Sequence, residues 1–358
     1  MKDVGLVFRT MFAELAQQTL DAQRQSDFPL KGRFVTVPVK GKDYFYFDIP
    51  TPEGKDKRSY VGPAADPEIA ERVRRHREIK DNIKERRRLV STLLRSGGMS
   101  APNRFAGDIT KALADAGFFR LRGVLVGSVA YGCYSGVLGV RLSTTAMQTG
   151  DADLAMDFAI SQEVDDSLPP ILSILAAVDP TFRAVPHQAD KARVTAFVNR
   201  TNYRVEFLTG NRGSDEYTGK PSPMPALGGT SAGNLRLLDY LIYEPVSTVL
   251  LHREGVSLNV PAPERYAVHK CIVASRRPTD ALGRAKRDKD LLQAATLFEA
   301  MLQTRQGYVL ADAYQEAWER GPSWREGIAS GLAMMPDNNG KAALADALGV
   351  PVEELAKG

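Results

Sequence analysis

The chain has 358 residues, of which 43% are apolar and 25% charged, with a formal net charge of +4. That balance fits a soluble globular protein of two or three domains; no apolar run nears the roughly 20 residues of a membrane span, and the start, Met1-Lys2-Asp3-Val4-Gly5, has no export layout. Cys133 and Cys271 cannot build a disulfide framework and have no zinc-spaced neighbours, so a cytoplasmic location without membrane contact is expected, and the mild positive charge permits a polyanionic partner without requiring one.

Apolar residues at helical spacing predict a helix over 7–24. Arg33–Lys40 alternates as a strand, Gly41-Lys42-Asp43 turns, and Tyr44–Ile49 is a second, aromatic strand. After another turn at Pro52–Asp56, Lys57–Pro63 ends the meander. A long helix follows, from about Pro67 to Leu94. Ten Lys/Arg against five Asp/Glu between Glu68 and Arg95 make it basic. Ser96-Gly97-Gly98 and Pro102 look like a linker, so residues 1–100 are expected to form an N-terminal region.

The pattern over 101–240 is α/β: a helix at 105–116, a strand Val124-Leu125-Val126 entering Gly127-Ser128, and a strand holding Asp151-Ala152-Asp153-Leu154. A helix around Leu168–Leu175 precedes a hairpin whose second strand is Tyr203–Leu208. Residues 211–233, rich in Gly, Pro and Ser, read as a long loop. From about 241 to 358 a mostly helical C-terminal domain is expected, with helices at Glu264–Arg277, opened by Pro263, and from about 279 or 284 to Met301.

Residues two apart on a strand share a face, so Asp151 and Asp153 project together while Ala152 and Leu154 face the core. Glu206 sits between Val205 and Phe207 in an apolar strand pattern, where an unpartnered glutamate is uncommon. If the two strands are neighbours, three carboxylates converge and repel one another unless cations fill the space. Oxygen ligands favour Mg²⁺ or Mn²⁺, and two ions about 4 Å apart clamp the attacking and leaving oxygens of a displacement at phosphorus. The Gly127-Ser128 turn offers backbone N–H groups and a hydroxyl to a phosphate, although it belongs to neither a dinucleotide nor a Walker pattern. Taken singly, an Asp-x-Asp is a common solvated strand end, and Glu206 has Arg204 and Arg193 as ordinary partners; the ordered combination is what points to metal-assisted nucleotidyl transfer.

With Gly127-Ser128, Asp151-x-Asp153 and Glu206 in this order, residues 105–300 resemble the nucleotidyltransferase superfamily of the DNA-polymerase-β type. Within it the chain is similar to bacterial nucleotidyltransferase-fold proteins sharing the helix Pro263-Glu264-Arg265-Tyr266-Ala267-Val268-His269-Lys270 and a segment like Lys286-Arg287-Asp288-Lys289-Asp290. It is also similar to toxin-type nucleotidyltransferases of abortive-infection systems. The resemblance implies an α+β fold: a mixed sheet with flanking helices, between the N-terminal β-hairpin/helix region and the helical domain. It implies that Asp151 and Asp153 ligate both metals and that Glu206 ligates one and helps activate the acceptor hydroxyl. It also implies that Ser128 holds the triphosphate and Lys270 neutralises it. One departure is the gap between Ser128 and Asp151, about twice the superfamily's usual length, which points either to an insertion at about 135–149 or to a phosphate-binding turn other than Gly127-Ser128.

Lys270 and Arg277 are seven apart and share a helix face, which suits phosphate; the bland alternative is a cationic helix end that favours the macrodipole. Lys289 and Asp290 join the nucleotide-binding set through the resemblance, with a salt-bridged surface as the alternative. His269, Cys133 and Cys271 read as structural. Tyr44, Tyr46 and Tyr60 interleaved with Lys42, Lys55, Lys57 and Arg58 have the composition of a nucleic-acid surface. The expectation is therefore an enzyme that transfers NMP from an NTP to a hydroxyl, releasing pyrophosphate. The acceptor is open between an RNA 3′ end, a protein side chain and a small molecule; a toxin that modifies tRNA shares the chemistry. The rival is a nucleic-acid-binding protein with an inactive core.

Overall fold

The computed structural model describes residues 1–21, 32–39, 41–50, 56–142, 150–164, 166–211, 219–336 and 339–355. Lys55, the Lys57 side chain, the end of the first predicted helix and parts of the segments 135–149 and 211–233 lie outside that description. The N-terminal part is helix α1 (Leu6–Asp21), a meander of strands β1 (Arg33–Val39), β2 (Lys42–Pro50) and β3 (Asp56–Pro63), and the long helix α2 (Pro67–Arg95). The α2 start follows from its sequence: Asp66 accepts hydrogen bonds from the Glu68 and Ile69 amides, and Pro67 occupies the first turn, where no amide is needed. Arg74 pairs with Glu71 and Glu78, Lys84 with Asp81, and Arg87 with Glu254, so part of the basic excess of this helix is answered by its own acids and by the core.

Next come α3 (Arg104–Asp115), β4 (Val124–Val126), the short helices α4 (Gly127–Tyr131) and α5 (Tyr134–Leu138), and β5 (Asp151–Ala155). Helices α6 (Phe158–Glu163) and α7 (Ile171–Ala176) lead to β6 (Arg183–Pro186), β7 (Val194–Val198) and β8 (Arg204–Gly210). Strands β9 (Pro221–Pro223) and β10 (Ser231–Leu235), helix α8 (Leu238–Leu241), and the hairpin β11 (Val246–Leu250) and β12 (Val256–Val260) follow. The chain then runs through α9 (Pro263–Ser275), α10 (Ala281–Gln303), α11 (Gly307–Glu319), α12 (Pro322–Met334) and α13 (Asn339–Leu348).

The protein is thus α+β with a mixed sheet. β8 is its centre: β5 lies parallel along one edge, and the other edge is shared by β7, antiparallel to the first half of β8, and β10, parallel to its end. β4 pairs antiparallel with β5 on the outside. Two expectations are corrected. The segment 211–233 is not one long loop, because β9 and β10 pair within and just beyond it. Ser231, Ala232 and Asn234 are buried, and small and polar residues in a short internal strand erase the alternation that would announce it. Nor is the chain after 240 mostly helical at once: β11 and β12 intervene, pairing Val246 with Val260 and Leu250 with Val256.

A continuous apolar cluster extends from Ala106 to Leu355, so the sheet and the C-terminal helices share a core. A second cluster joins α1, α2 and β11 through Phe12, Leu15, Val90, Leu93, Val249 and Leu251. The N-terminus also clips the segment after α5: the Val4 amide donates to the Gly139 carbonyl and the Arg141 amide to the Lys2 carbonyl, both at 2.9 Å.

Candidate active site

Parallel pairing sets Asp153 opposite Glu206 and Asp151 opposite Arg204. Alternation then puts all four side chains on one face, while Ala152, Leu154, Val205 and Phe207 are buried on the other. Asp153 keeps some accessible surface but lies deep in the body of the protein. That desolvation first, then the negative charges of Asp151 and Glu206, push its pKa up to about 7, against the pull of Lys270 and Arg277. Arg204 makes a forked pair with Glu206, at 3.2 and 3.3 Å.

Gly127 follows β4 and opens α4 beside this group. Its φ of +69° is left-handed, and a Cβ built on it would meet Asp153 Oδ2 at 2.7 Å. Only glycine lets the turn and the carboxylate share this space. Ser128 is buried and, with Gly150, lines a cavity of about 780 Å³ that also touches Phe12, Met99 and Asn103.

From the opposite side come α9 and α10. Lys270 Nζ contacts Asp290 Oδ1 at 2.5 Å, and Arg277 Nε donates to Asp290 Oδ2 at 2.8 Å. Asp290 is 0% exposed. Burial alone would raise its pKa, but the charges and hydrogen bonds of Lys270 and Arg277 more than offset this and hold it low. Lys289 has its pKa lowered, chiefly by burial and then by Lys270, with Asp290 and Asp151 pulling the other way. The structure therefore gathers Asp151, Asp153, Glu206, Gly127, Lys270, Arg277, Lys289 and Asp290 around one face. Arg276 turns away, toward the Ser323 carbonyl. His269 has its pKa pushed down to about 3 by burial and then by Lys270, which keeps it neutral.

Three residues of this neighbourhood escape a reading of the sequence for site groups. Arg204 was visible only as a bland partner for Glu206. The Tyr266 hydroxyl lies 3.0 Å from the Gly127 carbonyl and 2.9 Å from Oε1 of the buried Gln293, able to donate to either. The Lys270 ammonium sits 5.2 Å from the centre of the Tyr266 ring. These contacts tie the Gly127 turn to α9 and α10. A tyrosine and a glutamine inside helical patterns carry no signal of that kind.

Chemically, the face offers clustered carboxylate oxygens opposed by lysine and arginine. Carboxylates are the donors that hard divalent cations take, and a raised carboxylate pKa marks a place where added positive charge is stabilising. Among the described residues no group of three or more His, Cys, Asp or Glu side chains is placed so that it could hold a metal ion. The cations opposite suit phosphate oxygens.

A family model for nucleotidyltransferases matches residues 104–319, well over half of the chain. The chain belongs to this nucleotidyltransferase family. The matched span begins at α3 and ends with α11, so it contains the whole face described above. No curated protein and no solved structure matches this nucleotidyltransferase.

Proposed function

We propose that this nucleotidyltransferase moves NMP from an NTP to a hydroxyl acceptor on a polymerase-β-type core, using Asp151, Asp153 and Glu206. The observation that carries the reading is the register of Asp153 against Glu206 beside the Gly127 turn, in a chain of this family. Those three carboxylates would hold Mg²⁺ or Mn²⁺, two ions, which when bound neutralise charge on the triphosphate and on the pyrophosphate that leaves. Carboxylate oxygens are donors of the kind such ions take, and the charges of Asp151 and Glu206, which add to burial in raising the Asp153 pKa, are a repulsion that a cation would relieve.

The rest of the chemistry belongs to this chain's side chains. The acceptor oxygen forms a bond to the α-phosphorus while the bond to the β-phosphate oxygen breaks. Glu206, oriented by Arg204, takes up the acceptor's proton. Lys270, Arg277 and Lys289 supply positive charge to the phosphates, and Ser128 offers a hydroxyl. Asp290 is a positioning residue for Lys270 and Arg277. We place the reaction in a reducing compartment such as the cytoplasm, since the chain has only two cysteines, Cys133 and Cys271, and both are free thiols.

The test is incubation of the purified protein with each α-labelled NTP, Mg²⁺ or Mn²⁺, total RNA and cell lysate, beside an Asp151→Ala/Asp153→Ala variant. Label entering one band with the wild type alone is the expected result, and it names the nucleotide and the acceptor class. Absence of both labelling and NTP binding would overturn the reading.

Gly127→Ala offers a finer check. The new methyl group meets Asp153 Oδ2 in a left-handed turn, so the carboxylate must move. Displacement on that scale is expected to lower kcat/KM by about 10²-fold with the fold intact by circular dichroism. Unchanged kinetics would show that the position of Asp153 does not matter to the reaction.

A further inference from the structure

The meander of β1, β2 and β3 lies outside the matched family region and has two aromatic faces. On the inner face, Phe34 and Phe47 pack around His76 of α2, at ring separations of 5.2 and 5.5 Å. On the outer face, Tyr60 lies 5.5 Å from Tyr46 and 6.1 Å from Tyr44, and Arg58 sits 6.0 Å from the centre of the Tyr46 ring. Tyr60 is 58% exposed. The pairing of β1 with β2 adds Val35 and Val37 to this face, directly opposite Tyr46 and Tyr44.

The outer face is made by a β-bulge. Tyr44 pairs with Pro63 and Phe45 with Gly62, but the register then shifts and Tyr46 pairs with Tyr60. Counted without the shift, Val61 would stand opposite Tyr46, and Tyr60 would turn to the inner face with Phe47. The bulge sends both Tyr60 and Arg58 outward, and re-aiming a side chain is what such irregularities do. The same face carries Arg33, Lys42 and Arg58, and Arg58 grips the Asp48 carboxylate at 2.7 and 2.8 Å. The surface therefore combines phenol rings and basic side chains beside Val35 and Val37.

We propose that this face is a binding platform for single-stranded nucleic acid. Bases stack on Tyr44, Tyr46 and Tyr60, and Arg33, Lys42 and Arg58 face the phosphates. Stacking suits any base, and only an unpaired strand exposes base faces, so the platform should prefer single strands to duplex. A charged surface alone would have no reason to prefer them. The proposal is independent of the chemistry at Asp153, because it concerns binding without NTP or metal.

Fluorescence anisotropy with labelled single-stranded RNA and DNA of about 12 nucleotides, and with a duplex of the same length, tests it. Tyr46→Ala/Tyr60→Ala should weaken single-strand binding by about tenfold or more. Tyr60→Phe, which keeps the ring and the strand propensity, should bind as the wild type does. RNA and DNA binding alike would assign the platform to single strands in general, and RNA alone would narrow it to a ribose-reading surface. No binding at low salt, equal binding by the alanine variant, or tighter binding of duplex than of single strand would each overturn the proposal. Tyr60→Phe behaving like the alanine variant would do the same.

Discussion

Asp153→Asn is expected to lower nucleotidyl transfer by about 10³-fold and, in the metal-free protein, to raise stability at neutral pH. The two effects have one cause. The Asp153 carboxylate lies deep in the protein beside Asp151 and Glu206, and its pKa is pushed up to about 7 from an ordinary 3.8 by that desolvation and then by the two charges. Below about pH 4 the carboxyl is protonated in both folded and unfolded chains and contributes no pH dependence. Between 3.8 and about 7 the folded chain holds a proton that the unfolded chain has released, so stability falls as pH rises. Above that range the penalty is constant and amounts to a few kcal/mol. The amide removes the charge at nearly the same volume. The melting temperature of the variant in EDTA should therefore move above that of the wild type progressively across this window, then run parallel to it. A constant gap from acid to neutral pH would show that Asp153 carries no unfavourable charge, and retained transfer would remove it from the reaction. Mg²⁺ or Mn²⁺ should narrow the gap by stabilising the wild type alone.

The same residues show what a sequence can and cannot reveal. Asp151, Asp153 and Glu206 were legible because carboxylates interrupt apolar strand patterns, and alternation alone fixes which neighbours they share a face with. The strand partnership was only an assumption: β5 and β8 are parallel, with α6, α7 and the β6–β7 hairpin between them, and no local signal encodes that pairing. The helix opened by Pro263 was readable from its first-turn proline, whereas the Asp66 cap of α2 emerged only with the structure. Strand β10 was not, since Ser231-Ala232-Gly233-Asn234 resembles a loop until its burial against β8 is known. The β11–β12 hairpin did leave a trace, in Val246, Thr248 and Leu250 before a turn and Val256, Leu258 and Val260 after it, but neighbouring helical patterns obscured it. Sequence spacing put Lys270 and Arg277 on one helix face, but α9 ends at Ser275 with Arg276 as its cap, so Arg277 leaves the helix; that both still converge on Asp290 depends on how this helix end packs against α10.

That convergence predicts the largest stability effect. Asp290→Ala is expected to destabilise the protein by about 3–5 kcal/mol, because it removes the buried carboxylate that both Lys270 and Arg277 bond and leaves their charges without it inside the fold. The Lys270 side chain is 10% exposed and Arg277 30%, so water replaces the lost carboxylate poorly, least of all at Lys270. A surface ion pair would cost no more than about 1 kcal/mol, and urea unfolding separates the two cases. Lys270→Met added to Asp290→Ala removes the worse of the stranded charges and should recover part of the loss, a coupling that the double-mutant cycle measures directly. The sign with pH is opposite to that of Asp153. The Asp290 pKa is held below 3.8, so its contribution is present above about pH 4 and is lost as acid protonates it. With Asp290 gone, Lys270 loses its anchor above the Tyr266 ring, and Tyr266 is what reaches the Gly127 carbonyl. Transfer should then fall through KM for the NTP as well as through stability, a split that simple loss of folded protein would not produce.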